Sequence, residues 1–386
     1  MPVNLKAAVL AIVALSAPAA AQLAVSLVGV TPLPASATDQ NAQAFAITGA
    51  SGVTMLPDGT FAVVLDNSNK IVRLDLAFDA NGAITSATTL GGLSLANTLD
   101  FEGIAPGAPG EILLSEENTP AVRTYALIDG SLLTANPTPP VFTNRRSNRG
   151  FESLTTSGNA GWTANEEALT VDGPLATPTN GTVVRLLAFA VDSGLPFFEA
   201  AYHVEPMHGP VIPIGSNPGQ SGLSDLVLLP DGTLLALERS LAFATPLIES
   251  RIYAVAPCSA SDVAALPGLI GETYTPAPKS LLWSGDVWNM EGLCLGPTLP
   301  DGSSVLVGVV DDGDGFSPNQ LVTFRLTGAP CPADCDGNAA LNLDDLDCFI
   351  AGFLAADLAA ADCDANGTIN LDDLDCFVAA FLAGCP

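Results

Sequence analysis

Two groups of oxygen-bearing side chains have the types and spacing to do chemistry. The first lies near the C-terminus. Asp334, Asp336, Asn338, the backbone carbonyl of Ala340, Asn342 and Asp345 fall at positions 1, 3, 5, 7, 9 and 12 of a loop, and Asp362, Asp364, Asn366, Thr368 (backbone), Asn370 and Asp373 repeat the set 28 residues later. Ca²⁺ takes six to eight oxygens, and a chain that curls around it offers them at this spacing. Gly367 stands at the sharp turn of the second loop where the first has Ala339, so the second site is expected to be the tighter one. The other group is spread along the first 330 residues: Glu102, Glu152, Asp225 and Glu291 each open a recurring segment, and Glu117 and Glu238 close the strand that follows, with Glu166, Glu167, Asp311 and Asp312 at comparable places. Gathered at one rim, such carboxylates repel one another until a cation or a basic side chain neutralises them. With calcium held there they could bind a phosphate and activate water for in-line attack, while Arg149 and Arg239, beside the acids in sequence, supply bidentate donors. The other reading is that the acids cap strands and pair with those two arginines. His203 and His208 are the only histidines and no Gly-x-Ser-x-Gly turn occurs, which leaves a Ser-His-Asp esterase without support.

Both groups need elements to position them. In the long N-terminal part a pattern recurs: a small or acidic residue with Gly, an apolar run, a turn, a second apolar run and an acidic end. Ser51–Asp66, Asp100–Asn118, Arg149–Glu167, Gly222–Arg239 and Asn289–Asp312 are its copies. Pro-Asp-Gly between apolar runs, as at Pro57-Asp58-Gly59 and Pro230-Asp231-Gly232, is a hairpin turn. Antiparallel sheets repeated along a chain predict an all-β fold, a β-propeller, and dividing 22–328 by about 50 residues per blade gives roughly six blades, with five and seven open. After each C-terminal loop, apolar residues recur at helical spacing (Leu343, Leu346, Phe349, Phe353 and Leu371, Leu374, Phe377, Phe381), predicting two helices buried against each other in a small α-helical calcium-binding domain.

Composition sets the limits. The 386 residues hold 12 Lys+Arg against 41 Asp+Glu, a net charge of −29, which excludes the usual binder of nucleic acid or anionic membrane. From Cys331 onward there are eleven Asp and no basic residue, placing a boundary at Gly328-Ala329-Pro330 and dividing the chain into 1–21, 22–328 and 329–386. Residues 1–21 carry Lys6, an apolar run from Ala7 to Leu15 and the small residues Ala19-Ala20-Ala21, the pattern of a cleaved signal peptide. A secreted or cell-surface protein, in the periplasm or outside the cell, follows, with no membrane span left after cleavage. Six of eight Cys crowd the tail, as a metal cluster or as disulfides, and the oxidising compartment favours pairing; six thiols allow 15 connectivities.

At the duplicated loops and helices the tail resembles a dockerin, the paired calcium-loop module that anchors secreted proteins to a cohesin. The resemblance implies a cohesin-like or cell-surface partner, bound through the helices around Leu346, Asp347, Phe349 and their repeats; six Cys depart from the dockerin pattern. The longer part resembles the phytase-like family, also described as having esterase-like activity of phytase. The matching stretches include Asp100-Phe101-Glu102-Gly103-Ile104-Ala105, Asn148-Arg149-Gly150-Phe151-Glu152-Ser153-Leu154, Leu223-Ser224-Asp225, Leu237-Glu238-Arg239 and Glu291-Gly292-Leu293. That resemblance implies phosphoester hydrolysis on a phosphorylated small molecule, with calcium as cofactor and Glu102, Glu117, Arg149, Glu152, Asp225, Glu238 and Glu291 as the acting residues. A non-catalytic propeller that displays a binding face, or a component of a polysaccharide-degrading assembly, is the alternative.

Overall fold

The computed structural model describes residues 23–213, 218–313, 315–328, 333, 335, 342–355, 358–363 and 368–383. The proposed signal segment 1–21 therefore lies outside the described residues. The apolar runs form strands that assemble into four-stranded antiparallel sheets. β1 is Ala24–Pro32, and a short hairpin of β2 (Ser36–Thr38) and β3 (Ala44–Ala46) follows. The first blade is β4 (Ala50–Met55), β5 (Phe61–Leu65), β6 (Lys70–Phe78) and β7 (Ile84–Ser94). The second is β8 (Phe101–Pro106), β9 (Glu111–Glu116), β10 (Ala121–Ala126) and β11 (Leu132–Ala135). The third is β12 (Phe151–Ser157), β13 (Ala160–Asn165), β14 (Thr182–Ala190) and β15 (Pro196–Val204). The fourth is β16 (Gln220–Leu228), β17 (Leu234–Leu241), β18 (Ile248–Val255) and β19 (Lys279–Gly285). The fifth has only three consecutive strands, β20 (Met290–Thr298), β21 (Ser304–Val310) and β22 (Gln320–Thr327); β1 completes it by pairing antiparallel with β22, from Ala24 opposite Thr327 to Pro32 opposite Gln320.

Five blades, not six, make the propeller. The division by about 50 residues per blade overshoots because several blades carry insertions outside their sheets, above all residues 256–278 between β18 and β19. Part of that insertion folds back on the third blade, where Arg185, fully buried, binds Asp172 at 2.8 Å and Glu199 at 2.9 Å and donates to the carbonyls of Val263 and Leu266. The innermost strands β4, β8, β12, β16 and β20 each touch the next, and β20 touches β4, so the ring closes around a central channel. Closure requires tight packing at the axis. A Cβ added to Gly103 would stand 2.5 Å from the Leu154 nitrogen and one on Gly292 2.6 Å from the Ser51 carbonyl, which is why glycine follows the acid in these inner strands.

The apolar core is divided among the blade interfaces. Val53, Val63 and Val72 of the first blade meet Val305, Val307 and Val309 of the fifth, and Leu237 and Ile252 of the fourth meet Met290, Leu306 and Phe324 of the fifth. In the tail, α1 (Leu343–Ala355) and α3 (Leu371–Ala383) flank a short α2 (Leu358–Ala361). Phe349 and Phe377, the same position in the two repeats, stack with centroids 4.2 Å apart and are both buried. Buried Phe349 is thus unavailable to a partner; among the described residues the large exposed apolar side chains are Leu343, Ile350 and Leu354 on α1 and Leu371 and Val378 on α3. Disulfides join Cys335 to Cys348 and Cys363 to Cys376, one per repeat and each 13 residues apart. Cys331 and Cys385 lie outside the described residues. Among the described residues, no helix is long and apolar enough to cross a membrane.

Candidate metal centre at the channel mouth

Strand register decides which side chains reach the axis. Every inner strand carries a bulge near its start, skipping one residue between Ala50 and Gly52, Phe151 and Ser153, Leu223 and Asp225, and Met290 and Gly292, with Glu102 and Gly103 inside the corresponding bulge of β8. The residues displaced are Ser51, Glu102, Glu152, Ser224 and Glu291. On the neighbouring strands Leu65, Glu116, Asn165, Glu238 and Val310 pair with the residue just before the bulge, so the next residue of each, Asp66, Glu117, Glu166, Arg239 and Asp311, forms a second tier. A bulge re-aims a side chain. Here it turns one residue per blade toward the mouth.

The tiers bring Glu102, Glu117, Glu152 and Glu291 together with Asp66, Asp100, Glu166, Glu167 and Asp311, and among the described residues Arg149 and Arg239 are the cations that touch them. Arg149 Nε lies 2.6 Å from Glu167 and 3.3 Å from Glu166. Arg239 bonds Glu166 at 3.1 Å, and also Glu291 and the Asn289 amide oxygen. Asn289 Nδ2 bridges Glu291 and Asp311 at 3.1 and 3.2 Å. Ser51 donates to Glu102 across the seam between first and second blades. Two triads hold ligand oxygens within 4.8 Å of one another: Asp66, Asp100 and Glu102, and Glu117, Glu152 and Glu166. All six offer oxygen, the donor set of a hard cation such as Ca²⁺ rather than of zinc or copper.

The electrostatics follow from the crowding. Burial first, then the neighbouring Asp66, hold the Glu102 carboxyl well above the usual range, and burial first, then Glu102, do the same to Glu152. Burial and Glu166 push Glu117 up to about 8, and burial first, then the neighbouring Asp100 carboxyl, push Asp66 up to about 7. Glu167 is pushed up to about 7 by burial and Glu166, against Arg149, and Glu291 to about 7 by burial, against Arg239. Burial works against the Arg239 cation, but Glu291 and Glu166 more than offset it and raise its pKa. Carboxyls so placed hold protons or hold a cation.

Two expected members stand elsewhere. Asp225 is one residue out of register; Ser224 fills the bulge. Its carboxylate instead accepts the backbone N–H of Leu226 at 2.8 Å, Leu293 at 2.7 Å and Leu154 at 3.3 Å, tying the fourth blade to the fifth and third below the mouth, and burial pushes it up to about 8 against those three donors. Glu238 pairs with Leu223 on the far side of its strand, as Glu116 does with Phe101, and turns into the blade. There it accepts from the Tyr202 hydroxyl and from Lys279, both at 2.6 Å, and from the Glu205 amide at 3.0 Å. Both placements turn on one residue: on β16 the bulge falls at Ser224 and not at Asp225, on β17 Arg239 and not Glu238 follows the residue paired before that bulge, and one residue reverses the face. Asp66 closes its sequence segment and Asp100 opens its own, and it is their adjacency to a bulge, which periodicity does not show, that brings them to the mouth.

Of the tail ligands, Asp334, Asp336, Asn338, Ala340, Asp364 and Asn366 lie outside the described residues. Asn342, Asp345, Asp362, Thr368, Asn370 and Asp373 are described. Asp345 and Asp373 are fully buried at the starts of α1 and α3, each accepting the backbone N–H three residues earlier, at 2.9 Å from Asn342 and 2.8 Å from Asn370. This is the reach-back of a capping box.

No curated protein matches the sequence. Among solved structures, the chain is similar to an endo-arabinase of Bacteroides thetaiotaomicron (12% identity, 72% of this chain and 93% of that one, TM-score 0.43). It is also similar to a PQQ-bound aldose sugar dehydrogenase of Streptomyces coelicolor (12%, 79% and 99%, 0.37). Against hydrazine synthase of Kuenenia stuttgartiensis the identity is 10% and the TM-score 0.31, and the chain spans 57% of that protein's length. TM-scores this low carry nothing about chemistry. The model of the phytase-like family, described as esterase-like activity of phytase, matches residues 46–314, from the strand before the first blade to the turn before β22 and therefore every inner strand that builds the mouth. By that match the chain belongs to the phytase-like family.

Proposed function

We propose that this is an exported, calcium-dependent phosphoester hydrolase, carried on a dockerin-type module that anchors it to a cohesin-like or cell-surface partner. The observation that carries the reading is the buried excess of carboxylates at the channel mouth with two guanidiniums at its edge. Bound calcium would supply a Lewis acid for a phosphoryl oxygen and lower the pKa of a bound water. The chain's own part is to hold the ions through its carboxylates and to orient the phosphate. Arg149, partly exposed beside Glu167, is the side chain placed to turn toward an anion as bidentate donor. Export is supported by the apolar segment 7–15 and by the tail disulfides, bonds of an oxidising compartment.

One observation favours a second reading. Arg149 and Arg239 are already engaged by Glu166, Glu167 and Glu291, so a phosphate must compete with carboxylates for both. A propeller that binds cations as structural ties and displays a binding face would look the same. Hydrolysis of p-nitrophenyl phosphate by the full chain, with calcium and with chelator, separates the two. The hydrolase predicts activity that chelator abolishes and that Arg149→Ala lowers by about 10- to 100-fold, the size of losing one charge-assisted bidentate contact. Absence of calcium-responsive hydrolysis across phosphomonoesters and diesters sinks it.

A further inference from the structure

The acidic mouth is lopsided. In the second tier Asp66, Glu117, Glu166 and Asp311 are carboxylates, and the equivalent residue of the fourth blade is Arg239. That guanidinium touches Glu166 and Glu291, so the side of the mouth between third and fifth blades has a tethered cation. The opposite arc, from Asp66 through Asp100, Glu102 and Glu117 to Glu152, has no basic side chain bonded to it among the described residues. It also contains two carboxylate oxygens that accept no hydrogen bond: Asp100 Oδ1 and Glu117 Oε2, on residues 6% and 1% exposed. Asp100 belongs to one triad and Glu117 to the other. Buried acceptors without donors are costly. Glu166 Oε2, 3.3 Å from Arg149 Nε, is another in the second triad, so each triad holds at least one such oxygen, and that points to a missing cation in each.

We infer that the mouth holds two divalent cations, one on Asp66, Asp100 and Glu102 across the first and second blades, the other on Glu117, Glu152 and Glu166 across the second and third. Two divalent ions would offset four of the negative charges that Arg149 and Arg239, tied to Glu166, Glu167 and Glu291, leave uncompensated there. The Glu117 N–H donates to the Asp100 carbonyl at 2.9 Å, so the two triads meet at adjacent strands and the two ions are neighbours. Arg239 is the fixed counterion on the other side of the mouth and meets the second site only through Glu166, which it shares with Arg149. Oxygen donors alone, in a chain with the marks of export, select Ca²⁺ over softer metals. The inference deepens the proposed cation-dependent site but does not require that it hydrolyse anything.

The test counts ions. In the full chain with the tail loops silenced by Asp345→Ala and Asp373→Ala, native mass spectrometry and calcium titration should find two Ca²⁺ per molecule. Adding Asp66→Asn should leave one, and adding Glu152→Gln instead should leave one. Both variants remove buried negative charge, so their calcium-free melting temperature should equal or exceed that of the parent, which checks that a lost ion is not a lost fold. One ion or none in the tail-silenced chain, or a count that neither substitution changes, overturns the pair. Two ions bound with no phosphoester hydrolysed retires the hydrolase and leaves the pair standing.

Discussion

At the scale of single residues, the difference between Asp225 and its neighbours is the most instructive. Glu102, Glu152 and Glu291 sit in bulges and face other acids, so their cost is repulsion. Asp225 sits one residue further along and accepts three backbone N–H groups from three blades, so its removal strands donors rather than relieving charge. Asp225→Asn replaces one accepting oxygen with an amide donor that must face an N–H. We expect about 1–3 kcal/mol of lost stability in urea denaturation, the cost of leaving one buried donor unmade, with an unchanged calcium count. A drop in bound calcium with stability intact would place Asp225 at the metal after all. Glu117 and Asp100 are the mirror case, each with one buried oxygen that lacks a donor.

At the scale of elements, the tail is two copies of one device. Each copy joins a ligand loop to a helix through a disulfide, with Cys335–Cys348 and Cys363–Cys376 tying the second loop position to the middle of the following helix, and Phe349 on Phe377 closing the pair. The helices have a small shared core, so the staples must contribute much of the folding energy, and calcium in the loops would add to it. The intact chain should therefore bind two calcium ions at the tail, with the Asp362 loop the tighter, and Asp373→Ala should lose that ion first. Calorimetry checks the stoichiometry and alkylation without reductant checks the bridges: Cys335, Cys348, Cys363 and Cys376 should be protected while Cys258, exposed and unpaired, reacts. Reactive thiols at all four would dismiss the stapled device. The exposed apolar row of Leu343, Ile350 and Leu354 faces outward in the same fold that buries Phe349, which moves any partner surface away from the residue that periodicity alone put forward.

At the scale of the whole molecule, the ring is closed by the strand farthest away in sequence: β1 lies on β22, near the other end of the propeller. Removing residues through Pro32 leaves β22 as an unprotected edge, and such edges recruit other chains. A truncated chain should unfold at lower denaturant and elute as oligomers in size exclusion; an equally stable monomer would show that the last blade needs only three strands. The all-β class, the repeated hairpins, the acidic ends of the second strands and the duplicated tail were legible in the sequence, because alternation, Pro-Asp-Gly turns and ligand spacing are local and each follows from the chemistry of a few consecutive residues. Blade number was not, since insertions such as 256–278 lengthen a repeat without adding a sheet. Nor was the membership of the mouth. Glu102, Glu117 and Glu152 were visible as acids at repeated positions, yet Asp66 and Asp100 joined them and Asp225 and Glu238 left only when bulges and closure fixed which way each side chain points. A strand places alternate residues on opposite faces, so a slip of one residue, set by packing at the axis and invisible to periodicity, decides whether a carboxylate meets the channel or the interior of a blade.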